Sequence, residues 1–382
     1  MWTLLASLLF QLPDSAGFAR AAAYAAETDG QAMVVLHRGQ VVFEQYTNGG
    51  SASKRSGLAS GSKSFVGVAA LAAVADGKLQ LDRPVADYLV AWRNDPQKRR
   101  ITVRQLLSLE SGLESGNPGT GCGGPGKGWD DAVNAGTFAE PGAEFRYGPN
   151  PFIVGGAVIE QVTGEPFDRY LERRILRPLG ISVAWVMRCS DGKPQLAGGA
   201  SMTARDWAVF GEFIRLDGQH NGRRVLPAGL VRDLYRPSGA NPSYGMSWWL
   251  VGATLLRNPA MGVEQADGAG LGAGRGAAGG RAGRGGRLAT IRQARAGRRG
   301  GAGANSGGRG GGGARPVGEQ PAWLPADLFM AAGMGKQRLY VIPSEELVIV
   351  RMGPITGGRD FTDLEFLEPL LGTRVGGSSR LR

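Results

Sequence analysis

Ser60 stands three residues ahead of Lys63 in Leu58-Ala-Ser-Gly-Ser-Lys-Ser-Phe65, at the mouth of an apolar run that continues to Ala75 and stops at Asp76-Gly77. On a helix, residues three apart share a face, so the hydroxyl and the amine come within mutual reach. The chemistry open to such a pair is acyl transfer. A lysine whose pKa is lowered by desolvation, or a phenol polarised by its charge, can take the serine proton. Unpaired N–H groups at a helix start favour negative charge beside the serine, which the oxyanion of acyl transfer needs. Ser-x-x-Lys is also ordinary capping chemistry, an N-cap serine with a solvated lysine one turn on. The run after Lys63 argues against that reading here. It is apolar nearly all round, which carries Lys63 into the interior, and a buried lysine needs a reason.

Other nucleophile chemistries have little to draw on. The chain holds two histidines, His37 in a strand-like run and His220 in a turn-like one, so a Ser-His-Asp triad or a histidine-rich zinc site is not expected. Cys122 and Cys189 are too few for a disulfide framework and lack metal-ligand spacing. They form either a single bridge or two unrelated thiols. Tyr147 lies in Arg146-Tyr-Gly-Pro-Asn150, a tight loop before an apolar helix, where a tyrosine is held rigidly for catalysis or for structure alone.

The 382-residue chain carries a net charge of +11, but ten arginines between Gly268 and Pro316, with no acid or lysine among them, supply nearly all of it. That tract has too few apolar residues to fold and no aromatics to stack on bases. It reads as a disordered insertion in a near-neutral body, and nucleic acid is not an expected partner. The elements around the candidate residues follow from periodicity and breakers. A helix is expected from Asp14 to Glu27, then two strands around Arg38-Gly-Gln40, then the Ser60 helix. Next come a helix over Ile101–Leu113, a loop from Glu114 to Gly128, and a helix over Phe152–Thr163. Helices follow over 167–179 and 203–216, then a strand over 244–251. The chain closes on a hairpin whose arms are Met330–Pro343 and Leu347–Gly353. Met1–Phe10 has the apolar run of a signal without a preceding basic residue, so it reads as a truncated signal or as a packed segment. Periplasmic or secreted and cytoplasmic locations both stay open. No stretch reaches the roughly 18 apolar residues of a membrane span.

Four segments in this order resemble the serine β-lactamase and penicillin-binding-protein superfamily, in its branch of class C-like esterases and amide hydrolases of the 6-aminohexanoate-dimer-hydrolase type. They are Ser60-x-x-Lys63, Thr102–Leu113, Tyr147 in its Gly-Pro-Asn loop, and Gly333-Met-Gly-Lys-Gln337. The resemblance implies an α+β fold: a mainly antiparallel sheet built from the first and last strands, flanked by helices, with a mostly helical lobe inserted. Residues 1–29 would form an N-terminal segment and first helix, 30–355 the hydrolase domain interrupted by 268–316, and 356–382 a C-terminal helix and tail. It further implies that Ser60 is the nucleophile and that Lys63 and Tyr147 share the acid and base work. Backbone N–H groups of Ser60 and of Gln337 would bind the oxyanion, and no metal or other cofactor takes part.

Two departures bear on substrate. Pro149 takes the place two after the tyrosine where lactamases of this class carry asparagine, and Asn150 comes one later. The Lys-Thr-Gly strand motif is replaced by Gly333-Met334-Gly335, which leaves Lys336 as the remaining cation for a substrate carboxylate. Both point away from lactams and toward a small-molecule ester, amide or peptide. The rivals are a D-Ala-D-Ala peptidase or true lactamase, and a non-catalytic binding protein on the same scaffold. Oligomeric state is not legible.

Overall fold

The structure, a computed structural model, describes residues 15–116, 122–250, 321–358 and 360–372. Valine-rich runs near both ends of the chain form the strands of one sheet. These are β1 (Ala32–His37) and β2 (Gln40–Tyr46) from the first end. Three short strands follow, β3 (Ser56–Gly57), β4 (Ala184–Trp185) and β5 (Ala200–Met202), with a ribbon of β6 (Gln219–His220) and β7 (Arg223–Arg224). The last are β8 (Trp249–Leu250), β9 (Phe329–Gly333), β10 (Gln337–Ile342) and β11 (Leu347–Met352). The main sheet runs β2-β1-β11-β10-β9-β8 and is antiparallel throughout. The start of the chain therefore pairs with its end, and β3, β5 and β4 make a small second sheet.

Helix α1 (Ser15–Glu27) opens the chain, and α2 (Ser64–Ala75) follows Lys63. The lobe between strands continues with α3 (Val103–Leu107), α4 (Trp129–Val133), α5 (Asn150–Thr163), α6 (Phe167–Leu171) and α7 (Arg177–Leu179). Then come α8 (Ala204–Arg215) and, after β11, α9 (Asp363–Leu371). Alternate residues of β10 point to opposite faces of the sheet. Leu339 packs on α8 at Gly211, while Arg338 and Tyr340 bond Asp363 of α9. The sheet thus lies between α8 in front and α1 with α9 behind. Val, Ile and Leu on both faces of β1, β10 and β11 are buried accordingly. Among the described residues no helix is long and apolar enough to cross a membrane.

Several expected elements change in detail. The Ser60 helix begins as a 3-10 turn, Ala59–Lys63, and becomes α-helical only at Ser64. The helix expected over 101–113 shrinks to α3, started by a Thr102–Gln105 capping box, because Leu109 and Gly112 take positive φ and reverse the chain. The run over 167–179 is interrupted by a π turn at Glu172–Leu176. Of the strand expected over 244–251 only Trp249–Leu250 forms; Ser247 takes a φ of 73°, folding Tyr244 back to bridge Trp249, and Val251 lies outside the described residues. The arm Met330–Pro343 is two strands, because Gly335 and Lys336 both take positive φ and make a turn. Met1–Phe10 and the tract from Gly268 to Pro316 lie outside the described residues.

Candidate active site

In a 3-10 turn residues i and i+3 eclipse, which sets the Lys63 side chain directly over Ser60. Lys63 Nζ lies 3.0 Å from Ser60 Oγ and donates to the Ala197 carbonyl at 2.8 Å. The turn is fixed on three sides. Leu58 N–H donates to Ala200 O, Ser62 Oγ accepts from Ala200 N–H while donating to Ala59 O, and Trp207 of α8 packs against Gly61. Ala59, just before the serine, holds a φ of 46°, in the left-handed region a residue with a Cβ seldom adopts. Ser60 itself stays partly exposed, while Lys63 is 5% exposed.

Burial of Lys63 has a chemical result. Desolvation lowers its pKa to about 7, because the pocket offers the ammonium an aromatic wall and one carbonyl and, among the described residues, no carboxylate bonded to it. Nζ lies 4.8 Å from the ring centre of Tyr147 and 5.6 Å from that of Phe152. Around neutral pH a large share of Lys63 is therefore free amine. With one N–H on the Ala197 carbonyl, the amine can turn its lone pair to the Ser60 hydroxyl.

Tyr147 is brought to the same place by its loop. Arg146 N–H bonds Leu109 O, and Asn150 N–H bonds Ser115 O. Between them Gly148 lies so close to Ser115 that a Cβ would come within 2.3 Å of the serine Cβ. The Tyr147 ring stacks on Trp249, centroids 5.5 Å apart, and meets Tyr244 edge-on at 6.4 Å. Burial, and the negative charge that an ionised Tyr147 would carry, push the Tyr244 phenol well above its ordinary value. Tyr244 is thus kept protonated. Ser60, Lys63 and Tyr147 converge, although nearly ninety positions separate the first from the last.

Other expected site residues are placed differently. Asn150 is the first residue of α5 and faces the other way: its Nδ2 donates to Glu114 O at 2.9 Å, tying down the loop after α3. The proline at 149 starts the helix and thereby turns this side chain from the serine. Gln337 lies on β10, in register with Gly333. Its side chain exchanges hydrogen bonds with the Gly353 backbone, Nε2 donating to Gly353 O and Oε1 accepting from Gly353 N–H. The backbone that meets the Ser60 turn is the end of β9. A Cβ on Gly333 would lie 2.1 Å from Leu58 O and 3.1 Å from the amide nitrogens of Ser60 and Gly61. Met334 follows it, partly exposed. Among the described residues neither the Ser60 nor the Met334 N–H donates to a backbone carbonyl. Gly335 is packed on Pro354 and Ile355 instead, and Lys336 lays its stem over Gly358 with its charge felt at Asp363, behind the sheet. Ala197 O, Trp249 and the Met334 N–H were not legible beforehand; a backbone group leaves no mark on the sequence.

Cys122 and Cys189 are bridged, with an S–S distance of 2.07 Å. The bridge joins the loop that Asn150 anchors to the segment leading to Ala197, the acceptor for Lys63. A Cys122→Ser/Cys189→Ser protein is expected to lose about 2–5 kcal/mol of stability, as removal of a native bridge usually does. Thermal melts should show the same lowered Tm for the parent protein in reductant; equal melting of oxidised and reduced parent would rule the stabilising role out.

A six-stranded antiparallel sheet, helices on both faces and a Ser-x-x-Lys turn where sheet and helical lobe meet define the β-lactamase/transpeptidase-like fold. The chain belongs to the Beta-lactamase family, whose model matches residues 18–365. It is similar to the "Putative penicillin-binding protein PbpX" of Bacillus subtilis strain 168, with 29% identity over 145 residues, 38% of this chain and 36% of that protein. The match thus spans about a third of that relative's length. Among solved structures, the "Putative 6-aminohexanoate-dimer hydrolase from Bacillus anthracis" superposes with a TM-score of 0.62 at 19% identity, covering 91% of this chain and 79% of that one. A penicillin-binding protein homolog from Caulobacter crescentus gives 0.62 at 14% identity, covering 95% and 98%. Identities this low carry the fold alone. Family and fold together place this chain among proteins of the serine β-lactamase fold.

Proposed function

We propose that the protein cleaves carboxylic esters or small amides through an acyl-enzyme on Ser60. The observation that carries this reading is the 3.0 Å contact between Ser60 Oγ and a lysine whose pKa is drawn to about 7. In acylation the Ser60 oxygen attacks the substrate carbonyl as its proton passes to Nζ of Lys63. The carbonyl oxygen takes the negative charge, facing the N–H groups of Ser60 and Met334. Collapse of the tetrahedral species breaks the bond to the leaving group, which departs with a proton from the Lys63–Tyr147 pair. Water repeats the sequence on the acyl group and restores the serine.

Small neutral substrates are favoured by what surrounds the strand end. Ala331-Ala332-Gly333 is small and apolar, with no cation of its own to hold a substrate carboxylate. The name of an Escherichia coli K12 relative, "Putative D-alanyl-D-alanine carboxypeptidase", keeps peptide substrates as the second reading. The bridge between Cys122 and Cys189 supports an oxidising compartment, periplasmic or secreted.

The test is a fluorophosphonate adduct mapped by peptide mass spectrometry, run beside assays with p-nitrophenyl acetate, nitrocefin and a D-Ala-D-Ala peptide. The adduct is expected on Ser60, absent from Ser60→Ala, with turnover fastest on the ester. An adduct on another residue, or labelling that persists in Ser60→Ala, rejects the assignment. Fastest turnover of the peptide or nitrocefin selects a rival.

A further inference from the structure

Two arginines behind the sheet hold the turn whose front meets Ser60. Arg338 and Arg351 stand opposite each other on β10 and β11, and both are completely buried. Arg338 Nη1 donates to Gly333 O at 3.2 Å and to Gln337 O at 3.1 Å. Arg351 Nη1 donates to Gly335 O at 2.8 Å and to Lys336 O at 3.1 Å, and its Nη2 bonds Thr28 O. Of the five carbonyls, four belong to residues 333–337. The anchor is Asp363 of α9, which accepts from Arg338 Nε at 2.8 Å and from the Tyr340 hydroxyl. Burial raises the Asp363 carboxyl, but the Arg338 guanidinium outweighs it and holds the group below its ordinary value.

Stability is a poor reason for this arrangement. Two guanidiniums side by side repel, each loses several kcal/mol of hydration on burial, and among the described residues Arg351 bonds carbonyls rather than a carboxylate. An apolar pair of similar volume would hold the sheet at less cost. What an apolar pair cannot do is grip carbonyls.

Peptide geometry says what the grip achieves. The Gly333 carbonyl and the Met334 N–H belong to one planar group, and no peptide bond among the described residues is cis. In a trans peptide the two point in opposite directions. A guanidinium that holds the Gly333 oxygen toward the interior therefore turns the Met334 N–H away from it, on the side where Gly333 touches the Ser60 turn. We propose that Arg338, with Arg351 bracing the rest of the turn and Asp363 anchoring Arg338 to α9, is a positioning residue that aims the Met334 N–H at the oxyanion formed on Ser60. This deepens the ester-hydrolase reading and rests on it.

The test compares the parent protein with an Arg338→Met/Asp363→Asn double variant, which removes the ion pair without leaving a lone charge, and with Arg351→Met. Each is assayed for kcat and KM with p-nitrophenyl acetate and for inhibition by phenylboronic acid, whose serine adduct resembles the tetrahedral oxyanion. A misaimed donor is expected to lower kcat about 10- to 100-fold with KM within about twofold, since small misplacements have effects of that size. The boronate inhibition constant should rise by the same factor as kcat/KM falls. A purely structural role would lower Tm and leave the boronate constant of the folded variant unchanged, which overturns the proposal. Should the double variant not fold, Arg351→Met alone decides, with the same readout at the lower end of the range. A parent protein without ester turnover would instead remove the hydrolase reading itself, so the two failures are told apart.

Discussion

Lys63→Met is expected to slow acylation by about 10²–10⁴-fold, the usual share of a general base, and at the same time to raise the melting temperature at neutral pH. The two effects have one cause. Desolvation draws the Lys63 pKa down to about 7, whereas in the unfolded chain the amine keeps its ordinary value near 10.4. Between these values the unfolded chain binds a proton that the folded protein does not, so stability falls as pH drops through this window and levels off below about 7. At pH 7 the cost is on the order of 4 kcal/mol. Methionine fills much of the same space without it, and the loss of the bond to Ala197 O offsets only part of the gain. The Tm advantage of Lys63→Met should be greatest near pH 7 and shrink toward pH 10. In the parent protein the acylation rate should climb with pH through about 7, because only the free amine accepts the serine proton. Labelling rates and calorimetry across this range check both arms. A rate that is flat through pH 7, or a variant that melts lower at pH 7, would remove Lys63 from the role of base.

Local features were read correctly where local spacing decides them. Ser60 and Lys63 meet because three residues of one turn separate them, and Lys63 is buried because Phe65 to Ala73 leave no polar face on α2. Tyr147 came through the resemblance rather than through its own loop, whose path depends on Leu109, Ser115 and Gly148 meeting from distant places. Reading failed where backbone geometry decides. Apolar runs stand at residues 329–332 and 339–342, so period alone hides the turn that Gly335 and Lys336 make between them. Asn150 was misplaced for a related reason: a shift of one residue at a helix start changes the direction of a side chain by a large angle. The cysteine pairing stayed open because it requires a Cα separation, 5.7 Å here, that loop composition does not encode.

Gly333→Ala is expected to reduce kcat by about 10²-fold or more while changing KM little, the size of effect seen when an oxyanion donor is lost or moved by about 1 Å. The added methyl would sit 2.1 Å from Leu58 O and 3.1 Å from the nitrogens of Ser60 and Gly61. The first is backbone and cannot rotate aside. Leu58 is held by its own bond to Ala200 O, and the Ser60 turn by Ser62 and Trp207, so the part that yields is the end of β9. Its retreat carries the Met334 N–H away from the serine. Lys63 stays against both Ser60 and the Tyr147 ring, since neither contact passes through β9. The substitution therefore separates the two halves of the mechanism: proton transfer is left assembled, and stabilisation of the oxyanion is removed. Fluorophosphonate labelling, whose reaction also places charge on oxygen at this edge, should slow in proportion to kcat, and the Tm should fall by a few degrees at most. If Gly333→Ala keeps kcat within twofold of the parent, the strand end is not the oxyanion wall, and the second donor must be sought elsewhere around Ser60.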